Sequence, residues 1–228
     1  MAVTVPREIQ IRVSESAGTV SALLQSPSEA ECLLVLAHGA GAGMRHRFLQ
    51  SICEKLGELH IATLRYQFPY MEQGKKRPDQ KPVLYDTVRA AIDCASKVSD
   101  GLPLFAGGKS MGGRMTSNAA AEKPLDTLRG IIFLGFPLHP PGKLGTERAD
   151  HLKRVTSPML FLQGTKDEFA ELTLLKPVCK DLGSLSTLHL FEEANHSFHV
   201  PKKSGKTDAD MMNELAGTIR DWTRVLIA

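Results

Sequence analysis

The sequence lacks the features that mark several large classes of protein. Its four cysteines, at positions 32, 53, 94 and 179, show no C-x-x-C spacing. No apolar run approaches the length of a membrane span, and the segment around Arg7 and Glu8 has no apolar core of the kind found in signal peptides. The basic residues are scattered, the formal net charge is +3, and no nucleic-acid-binding module is recognisable. We therefore expect a cytoplasmic protein with reduced cysteines and with no nucleic-acid or membrane partner.

The sequence does contain a regular alternation of strand and helix patterns over its 228 residues. A hairpin is predicted over 7–24, and a long loop over 67–81. Predicted strands cover 32–37, 61–66, 104–106, 130–136, 159–162 and 187–191, and predicted helices cover 47–59, 82–98, 115–122, 148–153, 169–182 and 207–227. This order is typical of a mostly parallel sheet with helices on both faces. Because no repeat or linker interrupts it, we predict a single domain over 1–228.

The pentapeptide Gly108-Lys109-Ser110-Met111-Gly112 matches G-x-S-x-G between a predicted strand and a predicted helix. A sharp turn from strand to helix strains the backbone of the central residue, and the two glycines leave room for that turn. Ser110 would then stand at the carboxyl end of a central strand, where a nucleophile is expected. The alternative is the end of a phosphate-binding loop, but that motif needs a glycine where Pro103 stands.

Two further residues complete a candidate catalytic triad with Ser110. A serine hydroxyl becomes a nucleophile when a base accepts its proton and an acid orients that base. Asp167 follows one predicted strand and His196 follows the last one, so both reach the same edge of the sheet as Ser110. The chain order Ser, Asp, His is that of α/β-hydrolases. We predict that Ser110 is the nucleophile, His196 the base and Asp167 the acid.

Other residues remain alternatives for these roles. Glu168 is a second candidate acid, since Asp167 by itself is equally suited to a turn or a helix cap. His189 lies within a predicted strand, where a structural role is expected, whereas His199 shares the loop of His196. A metal bound by His196 and His199 is a further alternative, although no carboxylate or thiol has matching spacing. We predict no metal and no organic cofactor.

Attack on an ester carbonyl places negative charge on its oxygen, and two backbone N–H groups can stabilise that charge. We expect one from Met111, directly after the serine at a helix start. The glycine-rich loop from His38 to Gly43 should supply the other, and Ala40 is the candidate. Further candidate substrate-binding residues are His38, Lys109, His139 and His199.

Several basic residues lie close in sequence to the candidate catalytic segments. They are Arg45, His46, Arg47, Lys109, Arg114, Lys202 and Lys203. If these side chains border one cleft, its entrance is electropositive and attracts anionic substrates. The alternative is that they point outward into solvent.

Six segments resemble the α/β-hydrolase superfamily, specifically a small branch near the dienelactone hydrolases. The segments are Leu36–Gly41, Arg65–Tyr70, Gly107–Arg114, Pro137–Gly142, Gln163–Asp167 and Ala194–Phe198. The resemblance implies the α/β-hydrolase fold, and it assigns the serine, aspartate and histidine roles to Ser110, Asp167 and His196. Dienelactone hydrolases proper use a cysteine nucleophile, so their substrate does not carry over. Only the short segment from Phe136 to Asp150 has room for a cap, and we expect an open cleft.

These observations favour a serine hydrolase that cleaves a carboxylic ester or thioester of a small acyl substrate. The branch is also similar to a testis-expressed protein and to a subunit of a chromatin acetyltransferase complex. A non-catalytic binding or scaffold domain is therefore the second hypothesis. The acyl group and the oligomeric state stay open at this point.

Overall fold

The computed structural model describes residues 5–228, and in this part of the chain eight strands form one sheet. The strands are β1 (Arg7–Ser14), β2 (Gly18–Gln25), β3 (Cys32–Ala37), β4 (Ile61–Tyr66), β5 (Leu104–Lys109), β6 (Leu128–Leu134), β7 (Met159–Gly164) and β8 (Ser186–Phe191). Their order across the sheet is β1-β2-β4-β3-β5-β6-β7-β8. β2 is antiparallel to both of its neighbours, and all the other pairs are parallel. The carboxyl ends of β3 to β8 therefore meet at one edge.

Six α-helices cover the two faces of this sheet. They are α1 (Arg47–Glu58), α2 (Pro69–Glu72), α3 (Lys81–Val98), α4 (Met111–Glu122), α5 (Leu172–Asp181) and α6 (Asp208–Ile227). Helices α1 and α6 pack on one face, while α2 to α5 pack on the other together with a 3₁₀ segment at Glu147–Arg154. Two apolar cores result, one on each face. Thr207 begins α6 with a capping box, in which its hydroxyl and the Asp210 carboxylate each bond the other's backbone N–H.

Strand β3 explains why the central strands are continuous apolar runs. Leu33, Val35 and Ala37 contribute to the core beneath α3 and α4, whereas Cys32, Leu34 and Leu36 contribute to the core beneath α1 and α6. All six side chains are buried. A strand covered on both faces has no polar side, so the alternating pattern of a half-buried strand is absent.

The predicted hairpin and mostly parallel sheet are confirmed, but several predicted bounds were wrong. The predicted loop over 67–81 contains α2, because Pro69 suits the first turn of a helix and the Tyr70 N–H is bound by Asp79 Oδ2 at 2.8 Å. Helix α4 begins at Met111 rather than at 115. Helix α5 begins at Leu172 rather than at 169, because Asp167 Oδ1 accepts the Phe169 N–H at 2.8 Å and forms a turn there.

The cysteines behave as the sequence predicts. All four thiols are free; Cys32, Cys53 and Cys179 are buried, and Cys94 is half-buried. Burial raises the pKa of the Cys32 and Cys53 thiols to about 11, so both stay protonated and unreactive at neutral pH. Among the described residues, no helix combines the length and the apolar character needed to cross a membrane. The single-domain organisation and the cytoplasmic location stay predictions.

A close approach between β5 and β6 gives a test of this packing. A Cβ atom on Gly107 would overlap the backbone carbonyl of Ile132, so we expect Gly107→Ala to lower the free energy of unfolding by about 1–3 kcal/mol. Gly217→Ala in α6 is the matched control, because a Cβ atom there has no neighbour within 4 Å. That change should be neutral or stabilising. Urea denaturation measures both variants, and equal free energies of unfolding would contradict the close approach.

Candidate functional site

Ser110 occupies the sharp turn between β5 and α4, at the carboxyl edge of the sheet. Its backbone has φ 51° and ψ −116°, a strained conformation for a residue with a side chain. Helix α4 packs so closely on β3 that a Cβ atom on Gly112 would lie 2.5 Å from the Ala37 carbonyl oxygen. Gly108, at the end of β5, pairs with Ala37, and a Cβ atom there would overlap the same oxygen. The two motif glycines thus permit the turn that exposes Ser110.

Ser110, His196 and Asp167 form one hydrogen-bonded chain. The Ser110 Oγ atom lies 2.9 Å from His196 Nε2, and His196 Nδ1 lies 2.7 Å from Asp167 Oδ2. Because an ionised carboxylate can only accept, Nδ1 carries the proton and Nε2 is left to accept the serine hydroxyl. The Asp167 side chain is fully buried, whereas the His196 side chain is 17% exposed. Loops after three different strands therefore bring together the three residues that the sequence predicts.

The Asp167 carboxylate is held by two further donors. Gln163 Nε2 donates to Oδ2, the oxygen that also accepts from His196, and the Phe169 N–H donates to Oδ1 at 2.8 Å. Gln163 is itself fixed, since its Oε1 accepts the Phe136 N–H at 2.9 Å. Sequence reasoning missed Gln163, although a polar residue at the end of a buried strand was a usable signal. The alternative acid, Glu168, is exposed and has none of these contacts.

The loop that carries His196 is ordered by its own side chains. Asn195 Oδ1 accepts the N–H groups of Ser197 at 2.9 Å and of His199 at 3.1 Å, which closes a tight turn. The Phe169 ring packs on the His196 imidazole with 4.3 Å between ring centroids. These contacts restrict the imidazole to the orientation that both of its hydrogen bonds require.

The two residues expected to supply anion-binding N–H groups are Met111 and Ala40. Met111 is the first residue of α4, so its N–H has no acceptor within the helix. Ala40 lines the cleft, and its neighbour Gly39 approaches Ser110 so closely that an added Cβ atom would lie 3.8 Å from the Ser110 Cβ. Within residues 5–228, neither the Met111 nor the Ala40 N–H donates to a backbone or side-chain acceptor.

His38 and His139, two of the candidate substrate-binding residues, are both buried. His38 is fully buried; its Nδ1 lies 2.8 Å from the Gly39 oxygen, and its Nε2 accepts the Phe68 N–H at 3.1 Å. Burial lowers the pKa of His38 to about 4, which keeps the ring neutral. His139 is 3% exposed, and its Nε2 accepts the Glu171 N–H at 3.0 Å, just before α5. Each ring hydrogen-bonds backbone groups on both of its nitrogens, and a substrate contact by either residue stays a prediction.

A cleft of about 880 Å³ opens beside Ser110, between α1 and the start of α6. Its wall is largely apolar, with Phe48, Phe169, Phe198 and Met212 as the large side chains. His199 lines the cleft as expected, but its side chain is 62% exposed and pairs with Asp208 at 3.0 Å. The imidazoles of His196 and His199 thus have separate partners, and no cluster of three or more metal-ligating residues exists in the described part of the chain.

The expected electropositive entrance is only partly formed. Of the seven basic residues, the cleft wall contains His46, Arg47 and Lys109, within the residues described. Arg45 instead pairs with Glu8 at 2.6 Å, away from the cleft. The pKa of the Asp208 carboxyl is lowered mainly by its hydrogen bond with His199, and the nearby Arg47 charge lowers it further. Strong attraction of anionic substrates by long-range charge is not expected from this arrangement.

The chain is similar to known proteins in sequence and in fold. A family model described as an alpha/beta hydrolase domain matches residues 30–224. Among solved structures, a serine hydrolase without a lid from Xanthomonas campestris has 19% identity and a TM-score of 0.73, with 97% of each chain covered. A dienelactone hydrolase from Anabaena variabilis has 21% identity and a TM-score of 0.72, with 95% of this chain and 96% of that chain covered. Est1E from Butyrivibrio proteoclasticus has 17% identity and a TM-score of 0.72, over 96% of this chain and 98% of that chain.

These likenesses agree in the fold, and they confirm the predicted α/β-hydrolase architecture without a large cap. The match to the family model covers most of the chain and includes Ser110, Asp167 and His196. This chain belongs to the alpha/beta hydrolase domain family.

Proposed function

We propose that this chain is a serine hydrolase that cleaves a carboxylic ester or thioester of a small acyl substrate. The observation that carries the proposal is the hydrogen-bonded chain from Ser110 through His196 to Asp167, placed on the strained turn of an α/β-hydrolase fold. The similar proteins named above include a serine hydrolase, which supports this reaction class.

The proposed reaction has two halves, each using the same base. His196 Nε2 takes the proton of Ser110 as its Oγ attacks the carbonyl carbon, and the carbonyl electron pair moves onto oxygen. The N–H groups of Ala40 and Met111 donate to that oxyanion. The tetrahedral intermediate collapses, His196 returns the proton to the departing alcohol or thiol, and an acyl-serine remains. A water molecule then repeats the attack, gives its proton to His196, and releases the acid and free Ser110.

Asp167 acts on this sequence through His196. Its carboxylate keeps the proton on Nδ1, so that Nε2 faces Ser110 as an acceptor, and it stabilises the imidazolium that forms during attack. Gln163 and the Phe169 N–H hold the carboxylate in place for that role. Buried and fully hydrogen-bonded, the carboxylate can remain charged without solvent.

The cleft suggests the character of the substrate. Its apolar wall suits an uncharged hydrocarbon group several carbons long on one side of the ester bond, since apolar burial supplies most of the affinity in such clefts. Arg47 and Asp208 stand among the lining residues with opposite charges. We therefore propose neutral esters as better substrates than anionic esters of equal size.

Ser110→Ala should lower ester hydrolysis by about 10³-fold or more, because the triad acts as a unit. Labelling with a serine-reactive fluorophosphonate should be lost in the same variant and retained in Ser28→Ala, a control at an exposed turn. Circular dichroism checks that both variants fold. Full hydrolysis by Ser110→Ala would refute the nucleophile assignment. If the wild-type protein neither labels nor hydrolyses any ester, the scaffold hypothesis is favoured instead.

Asp167→Asn should keep the fold but lower kcat by about 10²–10⁴-fold, since an amide can donate to Nδ1 and favour the wrong tautomer. Glu168→Gln is the matched control, because the neighbouring carboxylate is exposed and should be dispensable. Steady-state kinetics on one neutral ester compares the two. Loss of activity in Glu168→Gln with retention in Asp167→Asn would reverse the acid assignment.

Ala209→Trp should narrow the cleft at its α6 end, because Ala209 lines it from the first turn of α6. We expect kcat/KM for a nitrophenyl hexanoate to fall about tenfold or more, while that for the acetate stays near the wild-type value. Asn213→Trp, on the exposed side of the same helix, is the control for the added ring. An equal loss for both esters would show that the hydrocarbon group does not reach this end.

A further inference from the structure

Lys109 directly precedes Ser110, and the two residues bind opposite ends of His196. Ser110 Oγ meets the imidazole at Nε2, at 2.9 Å, while Lys109 Nζ donates to the His196 backbone carbonyl at 2.6 Å. The carbonyl fixes the backbone of the loop, and the imidazole is the group that must reach the serine. Lys109 and Ser110, which are consecutive residues at the end of β5, thus set the position of His196 relative to the nucleophile.

The Lys109 amine is closely surrounded by side chains of the site. A Cβ atom on Gly135 would lie 3.2 Å from Lys109 Nζ, 3.4 Å from His196 Nδ1 and 3.5 Å from Asp167 Oδ2, so these three atoms surround one point that only glycine leaves free. The amine also lies 5.7 Å from the Phe48 ring centroid and 5.6 Å from that of Phe198. Both distances are within the range of cation–π attraction.

We propose, on the basis of the serine hydrolase function above, that Lys109 is a positioning residue for His196: its ammonium binds the His196 carbonyl and holds the base in line with Ser110. This role differs from the substrate contact that the sequence suggested. The amine is already committed to a backbone carbonyl and to two aromatic rings, so little of it is left for a ligand. The consequence is an effect on kcat rather than on substrate affinity.

The charge state of Lys109 makes this role sensitive to pH. Burial lowers the pKa of Lys109 to about 8, and the nearby Asp167 carboxylate opposes that lowering. The ammonium is therefore present below about pH 8 and is lost as the pH rises through it. The other titratable or charged groups in the wall of the cleft are His46 just before α1, Arg47 of α1, His196 and His199 of the last loop, and Asp208 of α6. The carboxylate that acts on the Lys109 amine is that of Asp167, which lies with it around Gly135.

Two substitutions separate positioning from a merely structural contribution. Lys109→Met keeps the hydrocarbon stem but removes the donor, and we expect kcat for a neutral ester to fall about 10–100-fold with KM little changed. Lys109→Arg keeps a donor and a charge that persists at high pH. It should recover most of kcat and extend activity above pH 8, where the wild-type rate declines. Lys203→Met, at an exposed position outside the cleft wall, controls for the lost charge.

The measurements are kcat and KM between about pH 6 and pH 10 for all four proteins. Wild-type kcat in Lys109→Met, a rise in KM alone, or an alkaline decline in Lys109→Arg identical to that of the wild type would each overturn the proposal. If Lys109→Met fails to fold, the dependence of kcat on pH in Lys109→Arg tests the proposal by itself.

A readout without turnover separates this role from the hydrolase function itself. In a Ser110→Ala background, the His196 Nδ1 proton bonded to Asp167 should give a low-field proton NMR resonance that persists with lysine or arginine at position 109. The resonance should broaden or vanish with methionine there. Its unchanged persistence in the methionine variant would refute the positioning role. A wild-type protein that shows the resonance yet hydrolyses no ester would refute the hydrolase function while leaving the contact intact.

Discussion

The close packing of α4 against the end of β3 is the constraint on which the site depends. Gly112 lets the helix backbone approach the Ala37 carbonyl, Gly108 lets the end of β5 approach the same group, and the turn between them holds Ser110 at φ 51°. A strained residue costs of order 1–3 kcal/mol, which the surrounding packing has to offset. The same turn leaves the Met111 N–H without a helical acceptor and puts it next to the serine. Exposure of the hydroxyl and a free donor beside it thus have one physical cause.

Four loops depend on one another around that turn. Gln163 joins the loop after β6, through the Phe136 N–H, to the carboxylate of Asp167 after β7. Asp167 binds His196 after β8, and Lys109 ties the backbone of His196 to the end of β5. The arrangement is therefore shared among loops that follow four neighbouring strands, β5 to β8. Because buried polar networks hold their geometry only when every member is paired, a change in one loop is expected to disturb the others.

The sequence predicted the strands and the three candidate catalytic side chains better than it predicted the residues that hold those side chains in place. The bounds of β3 were right because a strand buried on both faces is apolar throughout, and the apolar run stops where the strand does. The bounds of β4 were also right, although this buried strand includes Thr63 and Arg65. Ser110, Asp167 and His196 could be found because loops at one edge of a parallel sheet converge. The start of α4 was missed because glycines are poor helix formers, and here they are required by contact with β3. The bonds of Gln163 to Phe136, of His38 to Phe68 and of Lys109 to His196 are long-range contacts that no local pattern encodes.

The energetics of the site also bear on the choice between a catalyst and a scaffold. A domain that only binds a partner has no need of a serine in a strained backbone region, or of a fully buried carboxylate that several donors must hold. Substitutions that relaxed Ser110, or that replaced Asp167 together with its polar side-chain partners by apolar residues, would remove strain and desolvation cost, so a scaffold would lose no stability by them. Catalysis is the function for which both features are useful, since the turn presents the nucleophile and the carboxylate orients its base. On physical grounds, the features that destabilise this fold locally are the ones that the proposed reaction requires.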